Sequence, residues 1–197
     1  MKNSVFVLFL FLISCQSRNN FTIIGQLSDK TYDGELIYLV PLENASKERV
    51  DSTVIKNGSF QFEGFAKIPE MYVIRAKPVL RYSLEELLVV REAGELNVKI
   101  DNRSSVHGTA LNDSLQHWKE QKMKFDLMNA ELIKQYRDAS DSVKQDLKQR
   151  ADLLNIDATN FHFNFVLNNK ENAVGQFVQK IMGSSFTEEQ KQKLNKK

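Results

Sequence analysis

Apolar and polar residues alternate with a period of two through the first half of this chain and with a helical period through the second. Phe60 and Phe62 alternate with Gln61 and Glu63, as in a strand with one buried and one wetted face. Further runs rich in β-branched, aliphatic and aromatic residues cover 21–27, 35–40, 49–55, 59–65, 71–76, 87–91 and 95–100. Turn signals at intervals of about 8–12 residues are the spacing of a sandwich or an open barrel. Asn57-Gly58 between two such runs predicts a hairpin, because both residues accept positive φ. Gly64 and Gly94 read as turn positions. The segment 77–86 reads equally as a strand or a loop.

At Gly108 the period changes. Leu111, Leu115, Trp118, Phe125, Leu132 and Tyr136 share one helical face, and Val143, Leu147, Leu154, Ala158, Phe161 and Phe165 share another. Thr109 or Asn112 suits the first N-cap, and Ser140 or Asp141 the second, after a break at 138–141. A short helix over 173–182 should stop at Gly183, and Thr187-Glu188-Glu189-Gln190 opens a final turn. The expected fold is α+β: an antiparallel β-sandwich-like domain over 21–108, then an α-helical hairpin with short C-terminal helices over 109–197.

The extreme N-terminus follows neither period. Residues 5–13 are unbroken apolar, preceded by Lys2 and followed by Ser14-Cys15. A spanning helix needs about 20 such residues, so 1–14 reads as a secretory signal. Leu12-Ile13-Ser14-Cys15 resembles the lipobox of bacterial lipoproteins. That resemblance implies an acylated Cys15 held in membrane lipid, a tether over 15–20, and a place in the bacterial cell envelope. Residues 16–20 lack the acidic pair that resembles a surface-export tag of some lipoproteins, so the resemblance implies the periplasmic side. Cys15 is the single cysteine, so no disulfide and no Cys-x-x-Cys pair is available.

Charge narrows the partners. The formal net charge is +2, and +1 once Lys2 leaves with the signal, since 2 minus 1 is 1. No basic stripe with interleaved aromatics is present, so nucleic acid is not an expected partner. The basic run 191–197 reads as a solvated tail.

Candidate chemistry is sparse. Asp113 and His117 lie four apart on a helix, but stable metal sites need three or four ligands, so no metal is expected. Glu85, Glu86 and Glu92 could form a glycosidase pair only if two of them stood about 5–9.5 Å apart across a cleft; solvated charges fit the pattern better. Ser52 has no neighbouring histidine in sequence, and His107, His117 and His162 are the whole supply. No catalytic residue and no cofactor are expected. Phe161, Phe163 and Phe165 are unusual, because on a helix Phe163 points away from the other two. Burial on two sides is the expectation, with Phe163 as the candidate partner contact should it be exposed.

Several segments occur in a familiar order: 21–25, 34–39, Asp51-Ser52 through Asn57-Gly58-Ser59-Phe60-Gln61-Phe62-Glu63-Gly64, Pro69, 91–98 and Val106-His107-Gly108-Thr109-Ala110-Leu111-Asn112. Together they resemble a domain of unknown function found at the N-terminus of envelope-anchored thioredoxin-like thiol–disulfide reductases. Phe165-Val166-Leu167-Asn168-Asn169 and Val174-Gly175 are similar to the linker of those proteins. In them a Cys-x-x-Cys domain follows the linker; here Lys197 is reached without one. The resemblance therefore implies the accessory module and not the disulfide chemistry. The expected function is a non-catalytic binding or scaffolding module for a protein or small-molecule ligand. The alternative is an auxiliary partner of a separate reductase.

Overall fold

The computed structural model describes residues 19–28, 30–76, 87–101 and 103–195. The signal segment, Cys15 and the ambiguous stretch 77–86 lie outside the described residues. Eight described strands form two four-stranded sheets. They are β1 (Asn20–Leu27), β2 (Leu36–Pro41), β3 (Asp51–Val54), β4 (Ser59–Phe65), β5 (Glu70–Ala76), β6 (Leu87–Arg91), β7 (Gly94–Ile100) and β8 (Ser105–His107). The first sheet has the order β4-β1-β7-β8 and the second β3-β2-β5-β6. The helices α1 (Ala110–Asp138), α2 (Asp141–Asn169), α3 (Ala173–Met182) and α4 (Glu188–Asn195) follow, so the fold is α+β.

Alternation builds the sandwich. Phe21, Ile23 and Leu27 in β1, Phe60 and Phe62 in β4, and Leu96, Val98 and Ile100 in β7 point inward. They meet Ile37, Leu39, Tyr72, Ile74, Leu87 and Val89 from the other sheet. Each aliphatic side chain so buried contributes about 1.5–3 kcal/mol. Phe60 lies over Gly25, and Phe21 over Gly64, across the antiparallel β1–β4 ladder. Gly64 is therefore a strand residue and not a turn: the space of its missing side chain is filled by the Phe21 ring.

Three connections differ from the pattern read in sequence. Asn57 and Gly58 do adopt positive φ, 52° and 71°, and Lys56 and Ser59 exchange backbone hydrogen bonds. The turn, however, joins β3 of one sheet to β4 of the other, so it closes one side of the sandwich and does not build a two-stranded ladder. Asp33 Oδ1 accepts from the Gly58 N–H at 2.7 Å and holds the turn. β6 and β7, the strands on either side of the turn read at Gly94, also belong to different sheets. β7 then lies beside β1 in parallel, Phe21 opposite Gly94 through Leu27 opposite Ile100, within sheets that are otherwise antiparallel.

The opposite side of the sandwich exposes the edge strands β6 and β8, and α1 closes it. The Asn112 side chain accepts from the Val90 N–H and donates to the Val90 carbonyl, both at 2.8 Å. One turn on, Gln116 Oε1 accepts from the Val106 N–H at 3.2 Å. Two amides thus take the place of a further strand on both free edges. Asn112, one of two N-cap candidates, is fully buried inside the helix, and Thr109 holds the N-cap position. Gly108, with φ 120°, sits so close to β7 that an added Cβ would lie 2.3 Å from the Glu95 carbonyl oxygen.

A second core fills the space between β6, the base of the hairpin and α3. It contains Val90, Leu115, Trp118, Phe163, Phe165, Val166, Val174, Val178 and Phe186. Phe163 is 7 % exposed and its ring meets Phe186 edge-on at 6.0 Å. Phe186, in the segment after α3, packs on that ring, so Phe163 is buried and not exposed at the surface. Asn172 caps α3, accepting from the Val174 and Gly175 N–H groups at 3.0 Å. Thr187 and Gln190 cap α4 reciprocally. Beyond Trp118, α1 has no buried residue, and its distal half packs only along α2.

Candidate functional site

A cleft lies where the rim of the second sheet meets α3. It encloses about 480 Å³ and is built from the end of β2, the start of β5 and one face of α3. Leu42, Ile68, Met71, Phe177 and Ile181 supply apolar walls. Ile68 stands in the loop before β5 and is exposed, as is Ile181 on the facing helix.

Four charged side chains edge this cleft, and each has a partner. Glu70 is gripped at both carboxylate oxygens, by Arg49 at 3.0 Å and Arg91 at 2.8 Å. Arg49 also donates to the carbonyls of Glu43 and Asn44, which fixes the loop after β2. Arg91 carries the network inward, its guanidinium 4.4 Å from the Tyr72 ring centre. The Tyr72 hydroxyl and Arg91 Nε are buried with no hydrogen-bond partner among the described residues. Across the cleft, Lys180 bonds Glu43 at 2.6 Å and, by hydrogen bond and charge, holds the Glu43 carboxyl below its ordinary pKa. Two cations and two carboxylates leave the cleft with no net charge. Glu43, held ionised, is not poised as a general acid. Among the described residues the lining holds no Ser, Thr, Cys or His.

A second cleft, of about 370 Å³, lies between α1 and α2 and contains the most unusual titratable group. His162 is 3 % exposed, and its Nδ1 accepts the Trp118 Nε1–H at 3.1 Å. The neutral imidazole must then carry its proton on Nε2. Burial and the Lys122 charge lower its pKa, opposed by Asp126.

The residues singled out from sequence do not converge. Asp113 turns away from His117 to meet His107 at 3.3 Å and the Gly108 N–H at 3.2 Å; the His117 ring packs against Phe161. Among the described residues no three His, Cys, Asp or Glu side chains are grouped to hold a metal. Glu92 serves the start of α1: it accepts from Thr109 Oγ1, from the Leu111 N–H at 3.1 Å and from Asn112 Nδ2 at 3.3 Å. Glu85 and Glu86 lie outside the described residues. Ser52 is an exposed β3 residue whose N–H bonds Asp51. Among the described residues no helix is long and apolar enough to cross a membrane.

The matched segment coincides with the closed sandwich. Residues 21–115 match the family model described as Domain of unknown function (DUF4369). The matched segment begins in β1 and ends one turn into α1, just past Asn112. The helix start that covers β6 thus lies within the matched residues, and the hairpin beyond it lies outside them. No curated protein and no solved structure matches the chain. The cleft straddles this boundary: Arg49, Glu70 and Ile68 lie within the matched residues, and Phe177, Lys180 and Ile181 come from α3. Sequence reading missed it because no single stretch contains it. The one signal available was exposed apolar Ile68 beside Pro69, in a loop between strands.

Proposed function

We propose that this protein is a lipid-anchored module of the bacterial cell envelope that binds a largely apolar, uncharged ligand and performs no chemistry on it. The cleft between the second sheet and α3 carries this reading. Its volume of about 480 Å³ lies within the about 300–1,000 Å³ of small-molecule sites. Its charges are consumed by one another, so they neither attract a strong ion nor activate a reacting group. Anchoring rests on Leu12-Ile13-Ser14-Cys15, with acylation at Cys15 and a periplasm-facing domain.

The ligand side is tested with N-phenylnaphthylamine, a neutral apolar fluorophore. Binding should be saturable, and Ile68→Glu with Ile181→Glu should weaken it about tenfold or more, since losing one apolar contact of about 1.5–3 kcal/mol suffices. Equal titration curves for wild type and the double variant would remove the cleft as a site. The anchor is tested separately by radiolabelled palmitate, which should enter the wild type and not Cys15→Ala. A second reading, an auxiliary partner of a separate thioredoxin-like reductase, draws only on the resemblance of the 51–64 motif.

A further inference from the structure

The end of the sandwich where β1 begins lies within a short reach of Cys15. The Ala66 N–H donates to the Asn19 carbonyl at 2.8 Å, and Asn20 pairs with Phe65 across the β1–β4 ladder. Asn19 is four residue steps from Cys15, a span of at most about 14 Å. An acylated Cys15 thus holds the 65–68 segment, which leads from β4 toward β5, beside the lipid surface. This end is also the apolar one. Among the described residues of the sandwich, the large apolar side chains left exposed are Leu42, Val54, Phe65 and Ile68. Val54 lies toward the far end, close to the Asn57-Gly58 turn, where Gly58 bonds the last residue of β1. Leu42 bonds Met71 at the start of β5 and so belongs to the near end. Phe65 and Ile68 are 56 and 60 % exposed. Three residues apart, their Cα atoms are separated by no more than about 11 Å, so the two form one patch. Lys67 between them is exposed and has no ion pair among the described residues.

We propose that this patch is a second contact with the bilayer: Phe65 and Ile68 enter the lipid surface, and Lys67 between them meets a headgroup phosphate. The proposal rests on the anchor at Cys15 and not on the ligand of the cleft. Exposed apolar patches serve protein or membrane contacts, and here the length of the tether decides between them. A tether so short gives the patch an effective concentration at the lipid on the order of millimolar, so an attraction too weak to hold a free protein is enough. A lysine beside two apolar side chains suits the boundary between acyl chains and anionic headgroups. The helices leave that surface clear. Gly108, just ahead of α1, lies against Glu95 at the same end, and Gln116 bonds Val106, which pairs with Val98 farther along β7. α1 therefore leads away from the bilayer, and the far part of the hairpin stands off from it. Ile68 also lines the cleft, so docking sets the cleft beside the bilayer.

The test uses the full chain, purified from membranes with its anchor and reconstituted in vesicles of phosphatidylethanolamine and phosphatidylglycerol. Lys67→Cys or, as the control, Leu127→Cys carries a nitrobenzoxadiazole label; an acylated Cys15 has no thiol left to react. Leu127 is 58 % exposed and lies on α1 well beyond Gln116. Lipids brominated in their acyl chains should quench the label at 67 at least threefold more than the label at 127. Adding Phe65→Glu to the Lys67→Cys chain should bring its quenching down to the control level. Phe65 is on the surface and does not line the cleft, so the thermal midpoint should stay at the wild-type value, which separates undocking from misfolding. Chains that float with the vesicles but quench equally at 67 and 127 overturn the docking alone. Chains that fail to float, with Cys15 itself taking up label, overturn the anchor and the docking that rests on it. Strong quenching at 67 that survives Phe65→Glu would refute the role of the patch.

Discussion

Replacing Asn112 by leucine tests whether a side-chain amide stands in for the strand that the second sheet lacks. Asn112 is fully buried, and both of its polar atoms bond the backbone of Val90 on the edge strand β6. Leucine has the same number of side-chain heavy atoms in a similarly branched shape, so no cavity forms. The loss falls on the Val90 N–H and carbonyl, which remain buried without partners. Each such group costs about 1–3 kcal/mol, so the variant should lose about 2–6 kcal/mol. For a chain of this size each kcal/mol moves the thermal midpoint by about 2–4 °C, giving a fall of roughly 4–24 °C. Urea unfolding followed by circular dichroism measures it directly, with an unchanged slope if only stability moved. Asn112→Asp is nearly isosteric and keeps the acceptor, but it turns the donor toward Val90 and Glu92 into a second carboxylate. It too should destabilise, which leucine's shape alone would not explain. Asn129→Leu, on the exposed part of α1, should stay within about 0.5 kcal/mol of wild type. If Asn112→Leu matched that control, the edge would be satisfied by water and the account of how α1 closes the sandwich would be wrong.

Two further outcomes follow from the helical core. Phe163→Ala should cost about 3–5 kcal/mol in chemical unfolding, because its ring is enclosed and packed on Phe186; a near-neutral result would mean that the segment after α3 does not dock there. His162 should make stability fall in acid. Its folded pKa lies below the ordinary 6.5, so the unfolded chain binds the proton more readily. The stabilisation is complete above about pH 6.5 and is lost as pH drops below that and through the folded pKa. His162→Gln keeps an acceptor for Trp118 and removes the titration, so its unfolding midpoint should fall less than that of wild type between pH 7.5 and 5. Parallel pH curves would show that His162 is not the titrating group.

Local periodicity made most elements legible, and it failed where partners are distant in sequence. Alternation located β1, β4, β5, β6 and β7, and the apolar stripes located both long helices, because these patterns record which face of an element is buried. Pattern cannot say which sheet receives a strand. The Asn57-Gly58 turn has the expected backbone, yet its two strands part into separate layers, since each pairs elsewhere: β3 with β2, and β4 with β1. The parallel β1–β7 pair joins residues from opposite ends of the sandwich, beyond the reach of any turn signal. The three-residue β8 is too short to alternate visibly.

The most informative misreading concerns Asn112. As a polar residue at a helix start it looked like a cap, and that reading uses only local chemistry. Two facts in the sequence pointed further. Asn112 and Gln116 lie four apart and interleave with Leu111 and Leu115 at the very position where the helix must leave the sheets. Amides on the buried side of a helix require buried partners, and the unpaired backbone of an edge strand offers both a donor and an acceptor. Glu92 and Gly108 belong to the same device: one receives the first turn of α1, the other lets that turn approach β7. The 106–112 stretch is therefore a joint that positions the base of α1, and through it the hairpin and α3. Since α3 forms one wall of the cleft, weakening this joint should loosen the cleft before it unfolds the sandwich. Gln116→Leu removes the 3.2 Å bond to β8 and the 2.9 Å bond to Glu120 and orphans the Val106 N–H, a cost of about 1–3 kcal/mol; N-phenylnaphthylamine binding should then weaken at temperatures where the sandwich is still folded, and loss of binding only in step with unfolding would show that cleft and sandwich form a single cooperative unit.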